Sequence, residues 1–301
     1  MVAPLISFVI PAYNYADTLP RAAISVLDQL DARSELIIIN DGSTDDTALI
    51  IEQLHTKFPG RFLSICQKNS GLAAVRNRGI NESRGQYLVF LDADDELVPG
   101  ILQKIYVHIQ ENPLSRLIIA GHYSIHPNGR QVERLPSVLP KSPLERLRAY
   151  LIDKTLSVSN GACVMHKDVF TLGHYPEAFR NAEDIPVFAQ IFGNFTCTVL
   201  PAPMAKIYKH ADSLRHNTAY DINIGSTLIE EVFDKNRLPE TANILRRKFT
   251  AQRYLSLFRN CAMAGEEEEA KRFYRQALKT DWHSIFRWSY TRKAVRLWLK
   301  S

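Results

Sequence analysis

Acidic residues follow two of the apolar runs that the sequence predicts as strands. Asp41 stands after the run 35–40, and Asp92 and Asp94 stand after the run 87–91. Ligands bind at the carboxyl ends of strands in an open α/β sheet, so we expect both acidic groups at one edge. Crowded carboxylates repel each other unless a cation offsets them, and hard oxygen ligands suit Mg²⁺ or Mn²⁺. Because these ions bind phosphates, the predicted ligand is a nucleoside diphosphate.

Each acidic group also has a simpler structural interpretation. Aspartate and asparagine are common in turns and helix caps, so Asp92-Ala93-Asp94 alone is weak evidence for a metal site. Asn40-Asp41-Gly42-Ser43 equally reads as a turn that caps a helix. The joint pattern, with both groups in this order and spacing, favours a functional site.

The residues that carry this chemistry need a sheet to position them, and the first part of the chain predicts one. Short runs rich in Ile, Val, Leu and Phe alternate with helical patterns, as buried parallel strands do in βαβ units. A helix follows the first run, another starts near Thr44 or Asp45, and Pro99 opens a third that ends near Asn112. The predicted fold class is therefore α/β with helices on both faces of the sheet. The predicted strands are 5–11, 35–40, 61–67, 87–91 and 116–121.

The rest of the chain is less regular. We predict a loop over 136–143, a helix over 144–152, and strands over 162–165 and 195–200. After about Tyr220 only helical patterns remain, so we place a domain boundary near residue 218. The chain is then a catalytic domain, 1–218, followed by a helical region, 219–301.

Composition limits the class and location of the protein. The four cysteines are scattered without a CxxC pair, which argues against a zinc module or disulfide scaffold and suits a reducing compartment. The apolar start of the chain breaks at Pro11 and reads as a strand rather than a signal peptide. No apolar run is long enough to span a bilayer. The expected location is cytoplasmic, and the formal net charge of +5 does not by itself imply a nucleic-acid partner.

The combined motifs resemble family 2 glycosyltransferases, which have the GT-A nucleotide-sugar-binding fold. The resemblance rests on the segments FVIPAYN (8–14), INDGSTD (39–45), NSGLAAVRN (69–77) and FLDADD (90–95), with weaker matches at Asn160-Gly161, Glu183-Asp184 and Tyr208-Lys209-His210. It implies inverting, metal-dependent transfer from a nucleotide-diphosphate sugar to a hydroxyl of a glycan or lipid-linked acceptor. Cell-surface polysaccharide or lipopolysaccharide synthesis is the implied setting. The helical region lies outside the resemblance.

The resemblance also implies roles for single residues in donor binding. A base hydrogen bond to Asp41 would favour uracil or thymine, whose N3–H is a donor. Arg76 would lie near the donor phosphates or support the acidic site, and Asp92 would hold the ribose or a metal-bound water. Asp94 would ligate Mn²⁺ or Mg²⁺, and His210 would approach the metal or diphosphate unless His216 does. The implied base pocket consists of Pro11, Ala12 and Tyr13.

A second set of implied roles concerns the acceptor. Glu183-Asp184 could simply cap a helix, but in the family the aspartate of this pair is the general base. Asp184 would thus take a proton from the acceptor hydroxyl, with Glu183 next in line. Asn160 and Gly161 would touch the acceptor, although a structural bend explains them equally well.

The segment 282–301 carries Trp, Phe and Tyr interleaved with basic residues and has no acidic residue. It could meet an anionic membrane surface on the inner face of the cell membrane or pack on the catalytic domain with a solvated basic face. Nucleic acid is not the expected partner. A nucleotidyltransferase and a degenerate, scaffold-type domain remain alternatives for the whole chain, and the absence of GxGxxG disfavours a dinucleotide-binding oxidoreductase.

Overall fold

A computed structural model describes residues 3–209 and 227–299. The strands in these ranges form one mixed sheet. They are β1 (Ile6–Ala12), β2 (Ser34–Asn40), β3 (Leu63–Cys66), β4 (Tyr87–Phe90), β5 (Glu96–Leu97), β6 (Leu117–Ile125), β7 (Gln131–Arg134), β8 (Cys163–His166) and β9 (Cys197–Tyr208). Their order is β3-β2-β1-β4-β8-β6-β9-β5, and β7 pairs with β6.

Helices connect and cover these strands. In the catalytic part they are α1 (Leu19–Leu27), α2 (Thr47–Lys57), α3 (Leu72–Glu82), α4 (Ile101–Glu111), α5 (Pro143–Arg148) and α6 (Asp184–Asn194). A π-helical turn (Ala149–Asp153) continues α5, and a 3₁₀ turn (Asn160–Ala162) leads into β8. The later part contains α7 (Thr227–Val232), α8 (Arg246–Ala264), α9 (Glu267–Thr280) and α10 (Trp288–Leu299), with 3₁₀ turns at Glu240–Leu245 and Trp282–Phe286.

The first three connections are βαβ units, as predicted. Strands β3, β2, β1 and β4 are parallel, and β8 runs antiparallel between β4 and β6. Because β6 and β9 are parallel to each other, most of the sheet runs in one direction. The register places Ala12 of β1 opposite Asn40 of β2, so both strands end at the same edge.

Alternating residues of the strands feed two hydrophobic cores. Val9 and Phe90 pack on one face of the sheet with residues of α3 and α6. Ile10 and Ile38 pack on the other face with residues of α1 and α4. The sheet is thus covered on both sides, as predicted.

The C-terminal helices add a third cluster. Phe258 of α8 and Tyr274 of α9 pack against each other and against residues of α10. Within 227–299 all regular elements are helices, which confirms the helical prediction for that range. The predicted boundary at 218 lies outside the described residues. None of the helices in 3–209 and 227–299 has the length and apolarity needed to cross a membrane.

Four elements differ from the sequence prediction, and one of them is the two-residue strand β5, which was not predicted. Strand β9 extends to Tyr208, well beyond the predicted 200. The prediction missed this part because it contains Pro201 and Pro203 and is irregular beside Gly121. Strand β7 was not predicted because its side chains are mostly exposed and polar. The predicted helix 144–152 is α5 followed by a π-helical turn.

A glycine closes the turn after β2. Gly42 has φ +69°, and a Cβ there would lie 2.8 Å from the backbone nitrogen of Asn69 and 3.1 Å from the carbonyl oxygen of Gln67. The loop that follows β3 therefore approaches the loop that follows β2 more closely than any side chain at position 42 allows.

This close approach gives a stability prediction with a matched control. Gly129 has φ +78° and open space around it, so Gly129→Ala should cost only the left-handed strain, about 1–2 kcal/mol. Gly42→Ala should lower the free energy of unfolding by a further ~1–3 kcal/mol because of the clash. Urea unfolding measures both variants, and equal losses would show that the two loops are not in contact.

Candidate active site

Two loops at the carboxyl edge of the sheet are joined by hydrogen bonds. The backbone nitrogen of Asn14 donates to Ser43 Oγ at 3.0 Å, and Asn14 Oδ1 accepts from the nitrogen of Thr44 at 2.8 Å. Asn14 has φ 59°, a left-handed conformation that asparagine tolerates. At the start of this loop Pro11 and Ala12 are buried, whereas Tyr13 is 44% exposed. These three residues thus line the rim of the edge where a base would stack, and their role in a base pocket stays a prediction.

Asp41 is buried and makes three hydrogen bonds. Its Oδ1 accepts from Gln67 Nε2 at 2.8 Å and from the backbone nitrogen of Ser70 at 2.9 Å. Its Oδ2 accepts from the nitrogen of Gly71 at 2.9 Å. A carboxylate has about four lone-pair sites, so one remains for a ligand. Asp41 therefore holds the 67–71 loop in place, and its contact with a base stays a prediction.

Three carboxylates gather where β4 ends. Asp95 is buried, and its Oδ1 accepts from the backbone nitrogen of Tyr208 at 2.9 Å. Burial, together with the charges of Asp92 and Asp94, raises the pKa of Asp95 to about 8. Burial and the same charges also raise the pKa of the nearby Tyr15 hydroxyl. This end of β4 is therefore strongly electronegative.

A buried arginine joins this acidic group to the start of α6. Arg76 of α3 donates from Nη1 to Glu183 Oε1 at 2.7 Å and from Nη2 to Asp92 Oδ1 at 3.4 Å. Burial alone would lower the pKa of Arg76, but Asp92 and Glu183 outweigh it and raise that pKa. Of the two predicted roles for Arg76, these contacts support the structural one, in which it holds the acidic site.

Asp184 is the first residue of α6. Helix starts carry a partial positive charge, which stabilises a carboxylate there. The neighbouring Glu183 stands at the N-cap position without a side-chain cap hydrogen bond, because its carboxylate turns to Arg76. The predicted contact of Glu183 with an acceptor and the predicted base role of Asp184 stay predictions.

Tyr175 connects the acceptor side of the site to α3. Its hydroxyl donates to Asn160 Oδ1 at 2.7 Å, and its backbone nitrogen donates to Asn77 Oδ1 at 3.0 Å. The guanidinium of Arg76 lies 5.4 Å from the centre of its ring. Gly161 faces the acidic group, since a Cβ there would lie 3.7 Å from Asp95 Oδ2. Asn160 and Gly161 are thus next to the carboxylates, and acceptor contact stays a prediction for both.

The predicted metal site is only partly within the described residues. His210 and His216 lie outside them, and within 3–209 and 227–299 no group of three or more His, Cys, Asp or Glu side chains is arranged to hold a metal ion. Asp92 and Asp94 nevertheless fit a divalent cation by their chemistry. Mg²⁺ commonly uses one or two carboxylates and fills its other positions with water and substrate phosphates. Burial is the largest cause of the raised pKa of Asp95, and the charges of Asp92 and Asp94, which such an ion would offset, add to it.

Two residues of the site escaped the sequence interpretation. Asp95 is part of the quoted FLDADD segment, but nothing local shows that it is buried while Asp92 is 42% exposed. Tyr175 lies in an irregular segment, and its contacts come from Asn77 and Asn160, which are distant in sequence. An aromatic residue among Gly and Pro was the only available signal for it.

Comparisons with known proteins agree with this geometry. The Glycosyl transferase family 2 model matches residues 7–173, more than half of the chain. An uncharacterized glycosyltransferase of Nostoc sp. is 42% identical over 100 residues, covering 33% of this chain and 31% of that protein. An uncharacterized glycosyltransferase of Rickettsia bellii is 27% identical over 264 residues, covering 83% of this chain and 36% of that protein. The matches thus span about a third of these two relatives' length.

A solved structure confirms the fold. S. aureus TarS 1–349 in complex with UDP-GlcNAc superposes with a TM-score of 0.69 at 16% identity, covering 97% of this chain and 89% of that one. The chain belongs to glycosyl transferase family 2, a family of glycosyltransferases. It has the GT-A fold, as the sequence predicts.

The Arg76 bridge gives a second stability prediction. Arg76→Gln leaves Glu183 buried without its cation, which should cost about 3–5 kcal/mol of unfolding free energy. Adding Glu183→Gln removes the unpaired charge, so the double variant should regain at least ~1 kcal/mol. Chemical denaturation measures these differences.

Arg78 provides the control for this experiment. It lies on the same helix but forms an exposed ion pair with Glu82, so Arg78→Gln should cost less than about 1 kcal/mol. If the losses of Arg76→Gln and Glu183→Gln simply add, the two side chains do not interact.

Proposed function

We propose that this chain is a metal-dependent, inverting glycosyltransferase that moves a sugar from a nucleotide-diphosphate sugar to an acceptor hydroxyl. The observation that carries the proposal is the Arg76 bridge. It connects Asp92, on the predicted donor side, to Glu183, the residue before the predicted base Asp184. Donor binding and proton removal would thus take place within one connected site.

The donor half is built from the β1, β2 and β4 ends. Asp41 has one acceptor position left for a base N–H, which favours uracil or thymine, and Tyr13 offers a partly exposed ring for stacking. The TarS structure that shares the fold is a complex with UDP-GlcNAc. We therefore expect a UDP- or dTDP-linked sugar as the donor.

The transfer step needs a base and a leaving group. Asp184 would take the proton of the acceptor hydroxyl while that oxygen bonds to the anomeric carbon from the side opposite the diphosphate. The bond between the anomeric carbon and the diphosphate oxygen breaks, and the nucleoside diphosphate leaves with the electron pair. Glu183 is committed to Arg76, so Asp184 is the carboxylate we assign to the base.

Asp92 and Asp94 are the described residues that would hold Mn²⁺ or Mg²⁺. A bound divalent ion offsets negative charge on a diphosphate. Arg76 would keep one oxygen of Asp92 in position, since its Nη2 lies 3.4 Å from Asp92 Oδ1. His210 remains the proposed further ligand from outside the described residues.

The acceptor is proposed to be a hydroxyl of a glycan or a lipid-linked glycan. Relatives that match over 126 residues at 32% identity include a hyaluronan synthase and a chondroitin synthase of Pasteurella multocida, and the match covers 13% of each. These names support a role in polysaccharide synthesis. Trp282 and Trp288 are 61% and 72% exposed, which supports a peripheral contact of 282–301 with the membrane surface.

The two alternatives differ from this proposal in what they require. A scaffold domain does not need Asp41, Asp92, Asp94 and Asp184 together, yet all four are present. A nucleotidyltransferase would release diphosphate from a nucleoside triphosphate, whereas the proposed enzyme transfers the sugar of a nucleotide sugar to an acceptor. Product analysis by mass spectrometry with a nucleotide sugar and with a nucleoside triphosphate separates them.

The donor prediction is tested by thermal shift. With Mn²⁺ present, a UDP- or dTDP-sugar at a hundred times its Kd should stabilise the protein by about 2.7 kcal/mol, and a GDP-sugar should not. EDTA and, separately, Asp94→Asn should reduce this stabilisation. A protein that no nucleotide sugar stabilises in the presence of metal would contradict the proposal.

The base prediction is tested by kinetics. Asp184→Asn should lower the rate of transfer or of donor hydrolysis by about 10²–10⁴ with little change in donor affinity, because the amide cannot accept the proton. Asp28→Asn is the control and should leave the rate unchanged, because Asp28 is the C-cap residue of α1 and is not part of the candidate site. An unchanged rate for Asp184→Asn would move the base elsewhere.

A further inference from the structure

A cavity of about 160 Å³ lies where the C-terminal helices meet the catalytic domain. Its walls come from the π-helical turn after α5, from α8 and from the 3₁₀ turn at 282–286 with the residue that follows it. The cationic side chains around it are Arg148, Lys248 and Arg287, and the acidic ones are Asp153 and Asp281.

The acidic residues of this cavity already have partners. Asp153 accepts from Arg148 Nε at 3.0 Å and its Oδ1 lies 4.0 Å from Arg287 Nη2, and Asp281 Oδ1 lies 3.0 Å from His283 Nδ1. Lys248 is exposed and has no carboxylate within 4 Å among the described residues. The whole of α8 contains five basic residues and no acidic one. At the cavity, Lys248 is therefore available for an anion, and Arg287 is held to Asp153 only across 4.0 Å.

A buried polar atom also faces the cavity without a partner. Gln252 is 4% exposed and lines the cavity, and its Oε1 has no hydrogen-bond donor among the described residues. An unpaired buried carbonyl is destabilising because it has lost its hydrogen bonds to water. A ligand with a hydroxyl beside its anionic group would satisfy this oxygen.

The cavity adjoins the acceptor side of the candidate active site. Tyr150 of the π-helical turn packs on Phe188, one turn beyond Asp184 in α6, with ring centres 6.1 Å apart. Lys154 directly follows Asp153 of the cavity wall, and its ammonium lies 5.7 Å from the Tyr150 ring centre.

Electrostatics support the same proximity. Lys154 is exposed as a residue, but desolvation of its ammonium group and the charge of Arg253 lower its pKa to about 8. The charge of Asp184 raises the pKa of Lys154, whereas the charge of Arg287 at the cavity lowers it, as Arg253 does.

We propose that this cavity binds a phosphate group, held by Lys248 and Arg287, and that this phosphate belongs to the acceptor whose hydroxyl reacts at Asp184. Ligand pockets for whole small molecules are usually about 300–1,000 Å³, so this cavity suits one anionic group and not a second nucleotide sugar. The acceptor part rests on the proposed function, whereas phosphate binding can be measured without it.

Tryptophan fluorescence provides a selective measurement. All three tryptophans, Trp282, Trp288 and Trp298, lie in the last twenty residues, and Trp282 stacks on His283 of the cavity wall at 3.9 Å. Ligand binding at the carboxyl edge of the sheet does not directly change this signal. The full chain is titrated with ethyl phosphate at constant ionic strength, with chloride as the reference anion.

Ethyl phosphate should give a saturable response in the wild-type chain. Lys248→Gln should weaken its affinity about ten-fold, whereas Lys279→Gln and Arg292→Gln, which lie outside the cavity, should not. Lys248 is exposed, so its variant should fold, and Arg287→Gln is a second variant with the same expected direction. No saturable response, or equal affinity in Lys248→Gln, would overturn the site.

A matched ligand pair tests the role of Gln252. 2-Hydroxyethyl phosphate carries a hydroxyl that ethyl phosphate lacks, and it should bind about five-fold more tightly by donating to Gln252 Oε1. Gln252→Leu should remove this difference while ethyl phosphate still binds. A difference that persists in Gln252→Leu would place the hydroxyl elsewhere and contradict this orientation.

The acceptor assignment is tested with sugars and their monophosphates as acceptors. The wild-type chain should favour phosphorylated sugars in kcat/KM, and Lys248→Gln should lose this preference while acceptor-independent donor hydrolysis stays the same. Equal use of both acceptor types by the wild-type chain would overturn the assignment. The assignment would also be overturned if the wild-type chain bound phosphatidylglycerol vesicles and Lys248→Gln did not, because the cavity would then hold a lipid headgroup. If no variant turns over any donor, the proposed function fails, yet the ethyl phosphate titration still decides the cavity.

Discussion

The active-site architecture depends on one buried guanidinium. Arg76 faces Asp92 and Glu183, two carboxylates that come from elements far apart in the chain. Arg76 reaches them because α3 packs closely on β1. At Gly79, one turn later, a Cβ would lie 2.5 Å from Val9 Cγ1, so only glycine allows this distance between helix and strand. Backbone packing at one position therefore decides where the central cation of the site lies.

The carboxylates around this cation differ in how their charge is compensated. Asp41 accepts three hydrogen bonds, two of them from backbone nitrogens, and so it stabilises a loop without needing an ion. Asp95 accepts a backbone hydrogen bond but stands beside Asp92 and Asp94, and its pKa rises to about 8. The end of β4 is therefore where the proposed divalent cation would offset charge, whereas Asp41 at the end of β2 is compensated by hydrogen-bond donors.

Local patterns predicted the parts of the fold that are buried and regular. The apolar runs of β1, β2 and β4 are fully or mostly buried, and each predicted a strand close to the observed bounds. The polar β7 and the proline-containing β9 lacked that signal. The sequence could place Asp41, Asp92 and Asp94 at one edge because strand ends share an edge. It could not show the Arg76–Glu183 pair, since that contact depends on the packing of α3 and α6 and has no local pattern.

The adjacent residues Glu183 and Asp184 show how this packing separates two similar side chains. Successive helical residues point about 100° apart, so the two neighbouring carboxylates leave the start of α6 in different directions. Arg76 holds Glu183 in the interior, at the N-cap position of α6. Asp184 follows in the first turn, where the positive end of a helix favours a negative charge. A carboxylate is a weak base, so the proposed proton removal by Asp184 would depend on where its side chain is held. In that proposal, the ion pair of Glu183 contributes by fixing the residue next to the base.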